Sequence, residues 1–439
     1  VSQVRRTGDD PGIDLMLCCT LSCTLAASEA DIFLPLHEGR DAYEPAIAYG
    51  DGVYLVVWKS GHLAPGDLRD GVKYQGDIVG CRLDSSGRLL DKQPVVICAA
   101  KDLQERPRVA FGGGVFLVVW QDLRNGKDWD VYAARITPQG RVLDTDGFVV
   151  SNARHSQALP DVSWDGQNFQ VVWQDFRSGK NYAIYGARVS PDGKVLEENG
   201  RLLTHVPEPY SRYAPVAASI PQQGTLVFWL AGGRVGAKSG SPAGVVAGAH
   251  LLREGVPGDQ AVYENSSHQS GPGGPTGHPT FPLGIAAGPQ RYLVAWTTQL
   301  PYGRGNAPND SQAALFDSQG KLRKMFLLTQ DPSVRISHPR AVWAGQTFWV
   351  VWHQIMPERN QGNLYPFEAI FAAQVTEDGE VRNRQRLAGT ESAPAQKAAI
   401  ASDGRGRVVI VYEQHPDKPE VPIRVGVRIL HAGNGGEPQ

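Results

Sequence analysis

Glu44, Arg106, His338 and Lys397 occupy the same position in a recurring pattern. Each enters a short run of small and apolar residues, and each run leads through a turn to an apolar run that ends in an aromatic. The corresponding residues in the other copies are Leu159, Ala214 and Pro282, and His278 lies just ahead of Pro282. Brought to one place, these cations, imidazoles and a carboxylate form a ring able to hold an anion or a sugar. The same ring can also be a solvated rim whose charges cancel. Hydrolysis of a glycosidic bond needs two acids about 5–9.5 Å apart. Glu44 is the one acid expected in the ring, and Glu358, Glu368, Asp310 and Asp67 lie on segments that could complete a pair. Tyr302 and Tyr365 are the aromatics expected to line such a pocket, and in an enzyme Glu44 and His338 would be the catalytic groups. A metal on His278, His338 and Glu44 is chemically conceivable, but no local ligand spacing supports one, and no metal or other cofactor is expected. The chain has no Gly-x-Ser-x-Gly elbow, phosphate-binding loop or His-Glu-x-x-His.

Other polar residues recur and read differently. Asp-x-Arg appears as Asp67/Arg69, Asp122/Arg124 and Asp175/Arg177, each time where an apolar run ends. One active site does not need three copies, so these pairs read as turn caps and braces between neighbouring repeats. The segment "DLRNGKDWD" offers Asp122, Asn125, Asp128 and Asp130 as oxygen donors of the kind calcium takes, without the EF-hand spacing. Cys81 and Cys98 lie on successive strands, one near the turn and one far from it, which puts a disulfide out of reach; they read as buried thiols.

The elements that position these residues follow from the repeat. "VFLVVWQDLRNGKDWDVYAARITPQG", from Val115, returns 53 residues later from Asn168 with 14 of 26 positions unchanged. The aromatic-ended run occurs seven times, closing at Trp58, Trp120, Trp173, Trp229, Trp296, Trp352 and Tyr412. Short runs rich in Val, Ile and aromatics, punctuated by Gly, Asp and Pro, are strands joined by hairpins. Four strands per unit and seven units predict an all-β, seven-bladed β-propeller of four-stranded antiparallel blades over 31–430. The seventh unit stops after its third strand, so "DIFLPL" at Asp31–Leu36 is expected to complete the last blade and leave no open sheet edge. The recurrent aromatics should pack between blades, and Trp164 and Trp343 should be exposed at turn edges. The repeat resembles β-propeller repeats of secreted bacterial proteins with "YLVVW…D.R…IYG.RV…G..L" units, and "SPDGK" at Ser190–Lys194 is similar to a turn of TolB-like propellers. That resemblance implies an architecture and no particular activity.

Forty-three basic against 45 acidic side chains leave a net charge of −2, which gives nucleic acid no surface to hold. No run is long enough to span a bilayer. Residues 1–30 carry Arg5 and Arg6, an apolar stretch from Leu15 to Ala27 and a small-x-small "SEA", and are expected to be an export signal or a disordered leader. A secreted or periplasmic monomer follows, with a lipoprotein at Cys23 as the lesser alternative and 431–439 as a flexible tail. Insertions gather in the loops from the second strand to the third and from the fourth to the next first strand, all on one face. That face is where binding is expected, around the channel mouth and flanked by blades four to seven and one. The regular repeat without a catalytic signature favours an exported scaffold that binds a carbohydrate or protein. A carbohydrate-active hydrolase or lyase is the alternative.

Overall fold

The structure, a computed structural model, describes residues 32–61, 76–204, 211–232, 246–258, 261–264, 278–299, 311–329, 335–356, 367–418 and 420–431. Within them the chain forms seven small antiparallel sheets, and no helix occurs among the described residues. In blade two the strands a to d run Gln104–Gly112, Val115–Asp122, Asp130–Ile136 and Phe148–Ser151. Blades one, three, five and six repeat this order. Blade four adds Tyr263–Glu264 to its third strand, beyond the short Val256–Pro257. The last blade takes its fourth strand from the beginning of the domain, with Ile32 opposite Val427 and Phe33 opposite Gly426. One apolar cluster accordingly joins Val56, Trp58 and Val79 of blade one to Val409, Val411 and Val427 of blade seven.

Strand b is the buried centre of each blade. "FLVVW" in blade two is covered on both faces, and Trp58, Trp120, Trp173, Trp229, Trp296 and Trp352 are all no more than 2% exposed. Each such indole removes about 150–250 Å² of apolar surface from water, which fixes the blade-to-blade spacing. Gly147 and Gly200 mark how closely the c–d loops lie on these rings: a Cβ at Gly147 would stand 2.4 Å from Trp120 Cη2, and one at Gly200 2.3 Å from Trp173 Cη2. Both also take positive φ, +75° and +71°, where a side chain is strained. Trp164 and Trp343 depart from expectation. They are partly buried, each 4.8 Å centroid to centroid from Phe169 and Phe348 respectively, because Gly112 and Gly288 of the preceding blades leave room for the indole.

The repeated Asp-x-Arg is scaffold in both described copies. Asp122, fully buried, accepts from Trp120 Nε1 at 2.8 Å and from Arg124 N and Nε, each at 2.9 Å. The Arg124 guanidinium lies over the Tyr132 ring at 3.9 Å and donates to Asp146 O and to Cys98 Sγ of the preceding blade. Asp175, Arg177, Trp173 and Tyr185 repeat the arrangement. Asp67 and Arg69 lie outside the described residues. Asn125 Oδ1 accepts from the Lys127 and Asp128 amides while its Nδ2 donates to Asp130, so this loop's polar atoms hold its own turn. Cys81 and Cys98 are buried and unpaired, and burial pushes both thiols up to about 12.

Candidate functional site

Strand a of every blade breaks register at the same point. The shift falls between Tyr43 and Ala46, Glu105 and Arg108, Ala158 and Asp161, Tyr213 and Val216, Thr280 and Gly284, Ser337 and Arg340, and Gln396 and Ala399. The extra residue is Glu44, Arg106, Leu159, Ala214, His338 or Lys397, and each of these six holds φ between 46° and 57°. Side chains rarely tolerate that region, at about 1–3 kcal/mol each. Such bulges re-aim a side chain, and here they send these residues into the channel.

The bulged amides need acceptors, and the neighbouring blade supplies them from the residue after its strand-b aromatic. Gln121 accepts from Leu159 N at 2.9 Å, Gln174 from Ala214 N at 3.1 Å, His353 Nδ1 from Lys397 N at 3.3 Å, and Glu413 from Glu44 N at 2.7 Å. Blade one places Lys59 there, which has no acceptor; the Glu44 carboxylate itself takes the Arg106 amide at 3.1 Å. Lys59, 2% exposed, reaches Glu105 at 3.4 Å and lies over the Tyr43 ring. Blades two and three therefore link through neutral amides, whereas blades six, seven and one link through ionisable groups.

These groups surround a cavity of about 250 Å³, lined by Glu44, Arg106, Arg108, His338, Arg340 and Lys397, with Pro45, Leu159 and Ala398 as its apolar wall. Glu44, Arg106, His338 and Lys397 thus come together. His278 opens strand a of blade five, opposite Gln299, and its side chain lies outside the described residues, as do Tyr302 and Tyr365. Arg108 and Arg340 are lining residues that sequence reasoning missed. Each stands two positions beyond a bulge residue that it did find, and strand alternation across the bulge carries that signal. The cavity draws on blades six, seven, one, two and three, so blade two, outside the flank of blades four to seven and one that the insertions suggested, contributes two of its cations.

Charge sets the local chemistry. Burial works to raise the Glu44 carboxyl, but Arg106, Lys397, Lys59 and Arg108 outweigh it and hold it below the usual range, so Glu44 stays ionised. Its nearest cation is Arg106 Nη1 at 3.7 Å. The second nearby acid, Glu413, is buried and taken up by Lys397 Nζ at 3.3 Å and His415 Nε2 at 3.1 Å. Among the described residues, Glu44 is the single carboxylate lining the cavity, and none of them completes a two-acid pair there; Asp67, Asp310 and Glu358 lie outside the described residues.

His338 backs onto a buried polar chain. Its Nδ1 is 2.8 Å from Ser337 Oγ and 2.9 Å from His353 Nε2, and Ser337 Oγ also contacts His353 Nε2. His353 Nδ1 lies 3.6 Å from Glu368. Burial, then the His353 and Arg340 charges, lowers the His338 pKa to about 2, and burial followed by Lys397 lowers that of His353 to about 4. Both rings are neutral at physiological pH. Protons can run along this chain in two senses. With the Lys397 amide donating to His353 Nδ1, His338 presents Nε2–H. With His353 Nδ1–H turned to Glu368, His338 presents a bare Nε2. Interconverting them moves one proton between the rings while a second enters at His353 Nδ1 and a third leaves from His338 Nε2, so the same imidazole presents a donor in one form and an acceptor in the other.

The sequence matches no family model and no curated protein. Solved structures of similar fold exist at low identity. An ulvan lyase, described as a polysaccharide lyase bound to GlcA(1-4)Rha3S, superposes with a TM-score of 0.55 at 11% identity over 92% of this chain and 96% of its own. The polysaccharide lyase Uly1 gives 0.52 at 10% identity over 93% and 94%. The expectation of a non-enzymatic binding scaffold gives way at this point. Two of the propellers this chain is similar to are named as polysaccharide lyases, not as binding scaffolds.

Proposed function

We propose that the protein is an exported polysaccharide-cleaving enzyme that breaks uronate-containing chains by β-elimination at the channel mouth. The observation that carries this reading is the cavity's composition: among the described residues, four cationic side chains and a neutral imidazole surround a single, ionised carboxylate. Elimination beside a carboxylate needs that pairing. The substrate's C5 proton passes to His338 Nε2 as the C5–H electrons move toward the carboxylate; those electrons then form the C4–C5 double bond as the C4–O bond breaks, and the leaving oxygen takes a proton from solvent. Cations at the carboxylate stabilise the charge that develops there, which is the role given to Arg106 and Lys397. A base that must be neutral before reaction is provided by an imidazole kept unprotonated by its surroundings. The substrate carboxylate, once bound, offsets the Arg340, Lys397 and Arg106 charges that depress His338 and so raises its basicity. Ser337 and His353 hold the ring and carry the proton inward. The solved propellers of similar fold that are named as polysaccharide lyases support this reading.

The test is incubation of the full chain with a panel of polyuronates and neutral glycans, following the ultraviolet absorbance of the unsaturated uronate. Cleavage restricted to the acidic polymers is expected, with His338→Gln slower by about 10²–10⁴-fold and its thermal midpoint retained. Saturated products, or cleavage indifferent to His338→Gln, overturn the reading.

A further inference from the structure

We propose that the Arg108 and Arg340 guanidiniums form a binding site for a single oxyanion group, a sulfate, phosphate or carboxylate, at the floor of the channel mouth. This deepens the elimination reading by giving the site a second acidic subsite, yet it stands on separate residues. Arg108, Asp161 and Arg340 are each the first paired residue after their bulge, one ring further into the channel than Arg106, Leu159 and His338. Two positive charges there face one carboxylate, and the other four positions of that ring are small or apolar.

Among the described residues neither guanidinium has a carboxylate within hydrogen-bond distance, and Asp161 and Glu44 act on both only from further off. Arg108 donates to Pro107 O at 2.8 Å, and its nearest carboxylate oxygen, on Asp161, is 4.0 Å away. Arg340 donates to Leu283 O and reaches Pro339 O at 3.5 Å, and no ion pair reaches it among the described residues. Asp161 is partly committed elsewhere, since its Oδ2 accepts from Ala217 N at 2.9 Å. Gly284 keeps the site open: a Cβ there would stand 2.8 Å from Pro339 O and 3.0 Å from Arg340 Cα. Both arginines line the 250 Å³ cavity and an adjoining recess of about 30 Å³. Burial lowers both pKa values, and for Arg340 repulsion from Arg108 adds to it, bringing it to about 9. A planar fork that makes two parallel bonds to an oxyanion answers both the missing partners and the repulsion.

The experiment is calorimetric titration of the full chain with sodium sulfate at constant ionic strength, alongside thermal unfolding in sulfate against chloride. Sulfate strengthens burial in any protein, so the reading is the difference between wild type and variants. Saturable sulfate binding is expected in wild type, weakened about 10-fold or more in Arg108→Met and in Arg340→Met, since a charge-assisted bond contributes about that factor. Asp161→Asn removes the competing carboxylate while keeping its amide acceptor, and is expected to tighten binding. Equal heats and equal midpoint shifts in wild type and both arginine variants overturn the site. Competitive inhibition of polyuronate cleavage by sulfate assigns the group to the substrate; unaffected cleavage assigns it to a free anion; the site stands in either case. Absence of cleavage on every polymer overturns the elimination reading and leaves the titration result unchanged.

Discussion

Replacing Asp122 with Ala isolates what the repeated Asp-x-Arg does. The carboxylate is fully buried and accepts from Trp120 Nε1, Arg124 N, Arg124 Nε and Arg124 Nη2 at 2.7–2.9 Å. Alanine leaves the buried indole N–H with no acceptor, which costs about 1–3 kcal/mol. It also leaves Arg124 without its carboxylate, and breaking one partner of a buried pair brings the total to about 3–5 kcal/mol. Arg124 keeps Asp146 O, Cys98 Sγ and the Tyr132 face, which holds the total within that range. Asp175→Ala removes the same set of bonds from Trp173 and Arg177 and is expected to cost the same within about 1 kcal/mol. The assay is urea unfolding followed by circular dichroism, with ΔG from linear extrapolation, beside kcat/KM for polyuronate cleavage. A loss under about 1 kcal/mol refutes the bracing argument. So does a large fall in kcat/KM in a variant that still folds, since that would put Asp122 in the chemistry.

Two further outcomes follow from the same structure. Gly147→Ala is expected to destabilise by about 2–4 kcal/mol, because it adds strain at positive φ to a forced shift of Trp120; a thermal midpoint within a degree or two of wild type counts against this. His338 and His353 are both held neutral below the ordinary histidine pKa of 6.5. The unfolded chain therefore binds protons first, so stability is full above pH 6.5 and falls as pH drops toward about 4, the folded value of His353. His353→Gln, which installs the amide used at this ring position in blades two and three, is expected to flatten that acid limb by at most about 3 kcal/mol. An acid limb identical to wild type contradicts it.

The fold was legible because each blade rewrites one short pattern, and the hydrophobic cost of exposing "FLVVW" on either face leaves little but a buried strand. The incomplete seventh unit pointed to "DIFLPL" because a propeller edge left open is a reactive sheet edge. The mouth residues were legible for a related reason: equal spacing from the same aromatic puts Glu44, Arg106, His338 and Lys397 at one height in the ring. The bulge that aims them was not legible, since the φ values of 46–57° arise at different residue types and no shared glycine announces them. Trp164 and Trp343 were misread for want of the glycines opposite them, which lie in the preceding blade.

By itself, then, the sequence determined the strand pattern, the number of blades, the closure of the ring and which positions share a layer. Periodicity and spacing are local quantities that survive without coordinates. Tertiary structure alone decided that Glu413 and His353 hold the bulged amides of the next blade. It also decided that Glu44 is ionised and, among the described residues, the single carboxylate of its cavity, and that Arg108 and Arg340 line that cavity together. Those facts depend on distances between segments far apart in the chain, and on burial that converts a neighbouring charge into a shifted proton affinity.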